Sequence, residues 1–267
     1  MSTVSAATAT TMVIDAWAPG PTLPILDGPG EACAVVWPGM GAQKRSFLRI
    51  MLEGRAETRT LLHPAEAVYF VLAGAGLVAG GGAPSRNVAV GSIIHIDAGN
   101  SYRFIAGDDG LKLFGGPCPY DPQLADPARH EPAADVRAGQ GIRLFHRDDP
   151  GVSVPMISRD ARLIVWLGTG SATANMNYVR LEAGEGNKPH IHAESEDTIY
   201  ILEGKGTVVD HTHGLRLPFS AGQIIHVPTG IKHAVHADCG EAIVSFGGPS
   251  PADRGMLRAA GITAHER

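Results

Sequence analysis

The sequence predicts an all-β protein built from two similar barrels in tandem. Three observations lead to this prediction: frequent turn residues, short strand-like blocks and an internal duplication. The 267 residues include 34 glycines and 19 prolines, about one residue in five, whereas roughly 12% is usual in a globular domain. The blocks between them are rich in Val, Ile, Phe and Tyr and too short for ordinary helices, which favours strands. With 44% hydrophobic residues, the chain can bury one large core or two ordinary ones.

The two halves of the chain repeat one pattern of short blocks. The spacing between matched blocks grows by only three residues from the first pair to the last, which indicates two copies of one supersecondary unit with small turn insertions. The matched blocks are 31–39 with 160–168, 52–54 with 181–184, 70–76 with 200–206, 91–99 with 222–230, and 114–119 with 246–251.

The repeats and the composition between them predict the domain organisation. Prolines and clustered charges mark a connector between the copies, and an amphipathic stretch near the end favours a short helix. We expect a flexible arm at 1–11, an N-terminal barrel at 12–120, a connector at 121–140, a C-terminal barrel at 141–251, and a helix with a tail at 252–267.

Charge and cysteine content limit the partners of the chain. A net charge of −5 with 18% charged residues offers no basic surface, so we expect no nucleic acid and no membrane partner. Cys33, Cys118 and Cys239 show no paired spacing and fit free thiols in a reducing compartment. No long apolar run or signal-like start is present, so we expect a cytoplasmic protein. Exposed edge strands and the N-terminal arm leave assembly into a homo-oligomer open.

A group of metal-binding residue types lies in the second copy. His190 and His192 form a His-x-His pair, and the period of two along a strand places both imidazoles on one face. A carboxylate follows within a few residues, and His233 comes after a Pro-Thr-Gly turn. Three neutral imidazoles and one carboxylate from neighbouring strands predict a site for a divalent first-row metal, with room for water or substrate.

The residues around this group resemble the two sequence motifs of the cupin superfamily. The matching residues are Gly184, His190, His192 and Gly204 in the first motif, and Gly222, Pro228, Gly230 and His233 in the second. The resemblance implies two cupin barrels, the jelly-roll fold also called a double-stranded β-helix. It further implies one divalent transition metal per chain, Fe, Mn, Ni or Zn, held by the three histidines and one carboxylate.

Two carboxylates compete for the fourth ligand position. The motif spacing to Gly204 selects Asp197, where the family has a glutamate, whereas Glu196 is the nearby glutamate at the alternative spacing. We expect Asp197 to be the ligand and keep Glu196 as the alternative, because a turn can absorb one residue.

The first copy departs from the motifs. The matched positions hold Thr60, Leu62, Ala67 and Tyr102. His63 lies one residue out of the His-x-His register, and on an extended strand it would face the other way. We therefore expect a degenerate, metal-free N-terminal barrel.

Other histidines and lysines have structural interpretations. His95 and His226 occupy equivalent positions in both copies, which favours a shared structural hydrogen bond over a role at the metal. Lys188 and Lys232 stand next to the ligands and could attract an anionic substrate, but a lysine can equally extend from the barrel mouth into solvent.

The resemblance implies a function only in outline. Cupins with this ligand set resemble dioxygenases, decarboxylases, isomerases and hydrolases. We favour a metal-dependent, dioxygenase-like enzyme acting on a small polar metabolite that bears a carboxylate or carbonyl, with no catalytic residue evident beyond the metal ligands. The alternatives are isomerase, decarboxylase or aminohydrolase chemistry, the last resembling ureidoglycine aminohydrolases although their ligand pattern differs. A non-catalytic bicupin that binds or stores a small molecule is the alternative of another class.

Overall fold

The computed structural model describes residues 9–80, 83–126 and 141–262. The strands of the first half are β1 (Met12–Asp15), β2 (Leu26–Asp27), β3 (Gly30–Val36), β4 (Phe47–Leu52), β5 (Glu57–Thr58), β6 (Leu61–Leu62), β7 (Ala67–Gly80), β8 (Ala83–Ala89), β9 (Ser92–Ile96) and β10 (Ser101–Pro117). The second half contains β11 (Ile142–His146), β12 (Val152–Ser153), β13 (Asp160–Val165), β14 (Met176–Leu181), β15 (His190–Ile191), β16 (Glu196–Glu203), β17 (Lys205–Asp210), β18 (Leu215–Ser220), β19 (Gln223–Val227), β20 (Lys232–Ala237) and β21 (Ile243–Ser250). One α-helix, α1 (Arg254–Ala259), follows them in the described part of the chain. This architecture confirms the predicted all-β class with a short C-terminal helix.

The two halves form two jelly-roll barrels that differ in how their sheets are divided. In the first half, the long strands β7 and β10 belong to a single ten-stranded sheet. In the second half, a seven-stranded sheet ordered β1-β19-β16-β21-β14-β13-β12 faces a four-stranded sheet ordered β15-β20-β17-β18. The corner between β16 and β17 is Gly204, with φ of 82°, where a Cβ atom would lie 2.1 Å from the carbonyl oxygen of Ala242. Glycine is therefore required at this corner.

The first strand of each half pairs with the other half. β1 runs antiparallel to β19, with Met12 opposite His226, and β11 runs antiparallel to β9, with Ile142 opposite Ile96. Each barrel thus completes its sheet with a strand that lies outside the sequence range predicted for it. The prediction that residues 12–120 and 141–251 each form one barrel stays a prediction. Strand pairing, however, crosses between the two ranges.

A reciprocal pair of buried glutamates joins the barrels. Glu66 of the first barrel accepts hydrogen bonds from a loop of the second, and Glu196 of the second barrel accepts them from the equivalent loop of the first. The backbone donors are the N–H groups of Ala172, Thr173 and Ala174 for Glu66, and of Gln43, Lys44 and Arg45 for Glu196. Beside them the rings of Phe70 and Phe246 stack with centroids 3.9 Å apart. The symmetry indicates that the duplication preserved an interface as well as a barrel.

The C-terminal helix α1 packs on the second barrel. Its Leu257 is buried in a cluster with Trp166, Val154 and Ala161, and Asp253 caps its first turn by accepting the N–H of Met256 at 2.9 Å. The predicted arm, connector and tail lie partly outside the described residues. No helix within the described ranges is long and apolar enough to cross a membrane. The three cysteines are free, as predicted.

Candidate metal centre

The structure brings together the four predicted ligands His190, His192, Asp197 and His233. One nitrogen or oxygen atom from each lies within 4.8 Å of the others. Strand pairing explains this convergence, because His190 on β15 lies opposite His233 on β20. Asp197 enters from β16 in the other sheet, and its Oδ2 lies 3.4 Å from Nε2 of His233 and 3.8 Å from Nε2 of His192. The group therefore sits where the two sheets of the barrel meet.

Hydrogen bonds orient the three imidazoles. Each Nδ1 atom contacts an oxygen outside the group: Lys188 O at 2.9 Å for His190, Asp253 Oδ2 at 2.7 Å for His192, and Ile231 O at 3.1 Å for His233. Carbonyl and carboxylate oxygens only accept hydrogen bonds, so Nδ1 carries the proton in each ring. The lone pair of each Nε2 is thereby left for the centre of the group, which is the arrangement that a metal ligand requires.

The two candidate carboxylates point in different directions. Asp197 faces the histidines, and its Oδ1 is buried without a hydrogen-bond partner among the described residues. Glu196, the next residue along β16, faces the opposite side of the sheet and is held by the backbone of residues 43–45. The period of two along a strand separates the two side chains.

The surroundings of the four side chains lower the pKa values of Asp197 and His190, which favours the binding of a cation. Burial raises the pKa of Asp197, but the close imidazoles of His233, His192 and His190 lower it to about 2. Burial and the neighbouring His233 and His192 lower the pKa of His190 to about 4. At neutral pH Asp197 is therefore ionised and His190 is a neutral donor.

The donor set fits one divalent transition-metal ion. Three imidazole nitrogens and one carboxylate oxygen are the ligands that Fe, Mn, Ni and Zn accept, and four protein ligands leave positions for water or substrate on a six-coordinate ion. Two observations support the fit: Asp197 Oδ1 and His233 Nε2 are both buried without a partner in the described part of the chain. Unpaired buried polar atoms are costly, and a bound cation would satisfy both.

A cavity opens beside these ligands inside the second barrel. His190, His192 and Asp197 line it, together with mostly aliphatic side chains from β14, β16, β20 and β21 and with Ile157 and Met256 of α1. The cavity offers about 50 Å³ to the centres of water-sized molecules, room for several waters or one small metabolite. Lys188 and Lys232 are not among its lining residues.

Comparison with known proteins agrees with this geometry. Residues 177–245 match the family model of the cupin domain, a range that includes all four converging residues. The second barrel therefore contains a cupin domain. No curated protein matches this chain in sequence.

Solved structures extend the likeness to both barrels of the cupin. Oxalate decarboxylase of Lactobacillus farciminis, in a formate complex, superposes with a TM-score of 0.69 at 15% identity, over 93% of this chain and 88% of that one. A tryptophan-to-tyrosine variant of Bacillus subtilis oxalate decarboxylase superposes with a TM-score of 0.66 at 16% identity, over 93% and 78% of the two chains. At these identities the likeness establishes a shared two-barrel fold.

The structure of the first barrel corrects the predicted orientation of His63. His63 is buried rather than turned away, and its Nδ1 lies 2.8 Å from Oδ2 of Asp121. Its Nε2 lies 2.8 Å from the hydroxyl of Tyr102, which in turn lies 2.6 Å from the hydroxyl of Tyr69. His63 therefore corresponds to His192, because one residue fewer separates it from the following glutamate and the turn absorbs the difference. The expectation that no ligand position survives in this copy was wrong at this one residue.

A second cluster of acidic and histidine side chains lies at the barrel interface. Glu66, His95 and Asp97 approach one another, but the guanidinium of Arg143 donates to both His95 and Asp97. An arginine already supplies the positive charge there. His226, the counterpart of His95, pairs with Thr198 at 2.9 Å. Each histidine thus makes a hydrogen bond, but the partner differs between the two copies, so the predicted bond is not shared.

Sequence reasoning missed Asp253, which holds His192. The signal was present in the repeat, since an aspartate follows the phenylalanine of each Phe-Gly-Gly-Pro block at the same spacing, Asp121 in the first copy and Asp253 in the second. In the cupin fold each of these aspartates bonds Nδ1 of the equivalent histidine. The two sequence motifs that contain the predicted metal ligands do not include this position. Within the sequence, only the repeat could have indicated it.

Proposed function

We propose that the second barrel is a metal-dependent enzyme that acts on a small substrate bearing a carbonyl or carboxylate, by dioxygenase-like chemistry. The observation that carries the proposal is the group of three Nε2 atoms and one carboxylate beside a largely aliphatic cavity. A divalent ion, when bound, polarises substrate oxygens and, as Fe(II), offers a position for dioxygen beside them.

The residues of this chain have defined tasks in the proposal. The three histidines and Asp197 would hold the ion, Asp253 orients His192, and the aliphatic walls receive the hydrocarbon part of the substrate. Apart from the ligands, the polar residues described along the cavity are Asn177, Asn187 and Ser245, none of which titrates near neutral pH. The described lining outside the ligand group therefore offers no acidic or basic side chain beside the substrate.

Decarboxylation is the second candidate, favoured by the structural likeness to oxalate decarboxylases. A decarboxylase must deliver a proton to the carbon that loses CO2. The described cavity residues outside the ligand group include no proton donor of that kind, so water would have to supply it. Release of CO2 without uptake of dioxygen would select this candidate.

The proposal is tested first on the metal and then on turnover. Native protein should contain close to one transition-metal ion per chain, and the double variant His190→Ala, His233→Ala should lose it while keeping its fold. His211→Ala removes an exposed histidine from a turn and is the matched control, which should retain the metal. Full metal content in the double variant would refute the site.

Turnover is tested by anaerobic reconstitution with Fe(II), followed by oxygen-uptake measurements with diketones, catechols and hydroxy acids. Uptake in the native protein, absent in the double variant, is the expected result. A bicupin that only binds or stores a ligand would take up metal yet show neither oxygen uptake, CO2 release nor any other turnover.

A further inference from the structure

One carboxylate connects the helix α1 to the converging histidines. Oδ2 of Asp253 lies 2.7 Å from Nδ1 of His192, and Oδ1 accepts the N–H of Met256 at 2.9 Å in the first turn of α1. The backbone oxygen of Asp253 also accepts the N–H of Leu257 at 3.0 Å. The orientation of the His192 ring and the first turn of α1 therefore depend on the same residue.

The helix α1 is too short to form without contacts to the rest of the protein. It has six residues, whereas isolated helices need roughly 12–15 residues to be even marginally stable. Leu257 anchors it, because this side chain is 3% exposed and packs with Trp166 and Val154. None of the four converging residues belongs to that cluster. In the described contacts, the link from Leu257 to His192 runs through the first turn of α1 and Asp253.

The same helix forms part of the cavity wall. Met256 is partly buried and lines the cavity together with three of the four converging residues. Ile157, which packs against the same cluster as Leu257, also lines the cavity. A displacement of α1 would therefore change the cavity wall as well as the support of His192.

The equivalent element of the first barrel is part of a closed core. Asp121 caps a short 3₁₀ helix, Pro122–Ala125, and Leu124 follows Asp121 by three residues, as Met256 follows Asp253. Leu124 is 1% exposed and belongs to the main core cluster of the first barrel. At this position one barrel has a fully buried leucine, whereas the barrel with the metal group has a methionine at its cavity.

Metal binding and the formation of α1 are linked through the Asp253 carboxylate. The imidazole of His192 becomes a stronger donor at Nδ1 when a cation is bound at Nε2, which strengthens its hydrogen bond to Asp253. A carboxylate fixed by this bond also keeps its cap on the helix. Because linkage is reciprocal, a conformation that bound metal favours must favour metal binding by the same factor.

We propose that α1 is a positioning element of the metal site, that metal binding at His192 fixes the helix in turn, and that Leu257 is thereby a positioning residue of this site. The inference rests on the metal-dependent function proposed above and adds a coupling between metal loading and the cavity wall. In the metal-loaded protein Met256 is held at the cavity, and in the metal-free protein α1 opens more often.

Hydrogen exchange on the full chain tests the coupling in one direction. Amide exchange of residues 254–262 is measured by mass spectrometry without metal and at saturating Zn(II), with residues 121–126 of the first barrel as the reference. We expect exchange in α1 to slow by about fivefold or more with Zn(II) and the reference to stay unchanged. Equal exchange of α1 with and without bound Zn(II) would overturn the inference alone. A protein that bound no Zn(II) would refute the metal-dependent function and the inference with it.

Variants at Leu257 test the opposite direction. Leu257→Ala removes packing from α1 and leaves every metal ligand in place, so the affinity for Zn(II), measured by competition with a chelator, should fall about fivefold or more. Leu257→Met preserves most of the packing and should keep the native affinity. The exchange experiment decides the question if Leu257→Ala does not fold.

The matched control is Leu124→Ala. It removes an equally buried leucine from the equivalent element of the first barrel, so it should destabilise the fold and leave the affinity for Zn(II) unchanged. An unchanged affinity in folded Leu257→Ala, or an equal loss in Leu124→Ala, would show that α1 does not position the metal site.

Discussion

The Nδ1 atom of His192 lies 2.7 Å from Oδ2 of Asp253. The other oxygen of this carboxylate accepts the N–H of Met256 and so caps α1. In the first barrel Asp121 does both tasks too, holding His63 and accepting the N–H of Gln123 at 2.9 Å. The histidine–aspartate pair is thus present in both barrels. In the first barrel Tyr102 donates to Nε2 of His63, the atom that corresponds to the inward-facing Nε2 of His192.

Removal of Asp253 should weaken the metal site without removing any ligand. Asp253→Ala frees the imidazole of His192 to rotate, so we expect metal affinity to fall by about 10- to 100-fold, as for other residues that orient a metal-binding histidine. Asp253→Asn keeps an acceptor for Nδ1 and should retain most of the affinity. Competition with a chelator of known affinity measures both. Asp121→Ala serves as control, and an equal loss of metal affinity there would contradict the assignment.

The neighbouring carboxylates of β16 should have separable roles. Asp197→Ala should abolish stoichiometric metal binding, because it removes the carboxylate that faces the histidines. Glu196→Ala should keep the metal but lower the free energy of unfolding by about 2–4 kcal/mol, because buried N–H groups of the other barrel lose their hydrogen-bond acceptor. Metal analysis and denaturant unfolding on the two variants test this. The opposite pattern would make Glu196 the ligand.

The free energy of unfolding should depend on pH partly through the carboxyl group of Glu66. Burial raises the pKa of Glu66, but His95 and the backbone N–H groups of residues 172–174 lower it, and the net pKa lies well below the ordinary value of 4.5. A carboxyl whose pKa is lower in the folded state stabilises it above the unfolded pKa, and this contribution is lost as the pH falls. We expect the free energy of unfolding to drop as acid is added below about pH 5.

The variant Glu66→Gln should flatten that acid dependence, because it cannot release a proton on folding. Glu53→Gln, at an exposed position of the same barrel, is the matched control. Urea unfolding at a series of pH values gives the slopes. If Glu66→Gln kept the native slope, other carboxylates would have to account for the acid sensitivity.

The hydroxyl of Tyr102 should stabilise the first barrel without affecting the metal. Tyr102→Phe leaves His63 Nε2 and the Tyr69 hydroxyl buried without their shared partner, so the free energy of unfolding should fall by about 1–3 kcal/mol. Tyr120→Phe, at a partly buried position, provides the comparison. A change in metal content would show that the first barrel also takes part in metal binding.

Local patterns explain why so much of the metal group was predictable. The His-x-His pair lies within one strand, and the Pro-Thr-Gly turn directly precedes His233. Within such short segments, the period of two along a strand determines which side chains share a face. The register of His63 was predicted wrongly because the turn that follows it is one residue shorter than in the second copy. Composition does not show such a difference. Asp253 was missed because its contact with His192 joins two segments that lie far apart in sequence.

The sequence by itself determined the all-β class, the duplication into two barrels and the residue types gathered at the second, since each of these follows from turn spacing and side-chain alternation along short segments. Only the tertiary structure decided that β1 and β11 exchange between barrels and that Glu196 joins the barrels while Asp197 faces the histidines. It also placed Asn177 beside the cavity, with an Oδ1 that has no hydrogen-bond partner among the described residues. These outcomes depend on which strands, far apart in sequence, pair with one another when the two hydrophobic cores form. No local sequence pattern determines that pairing.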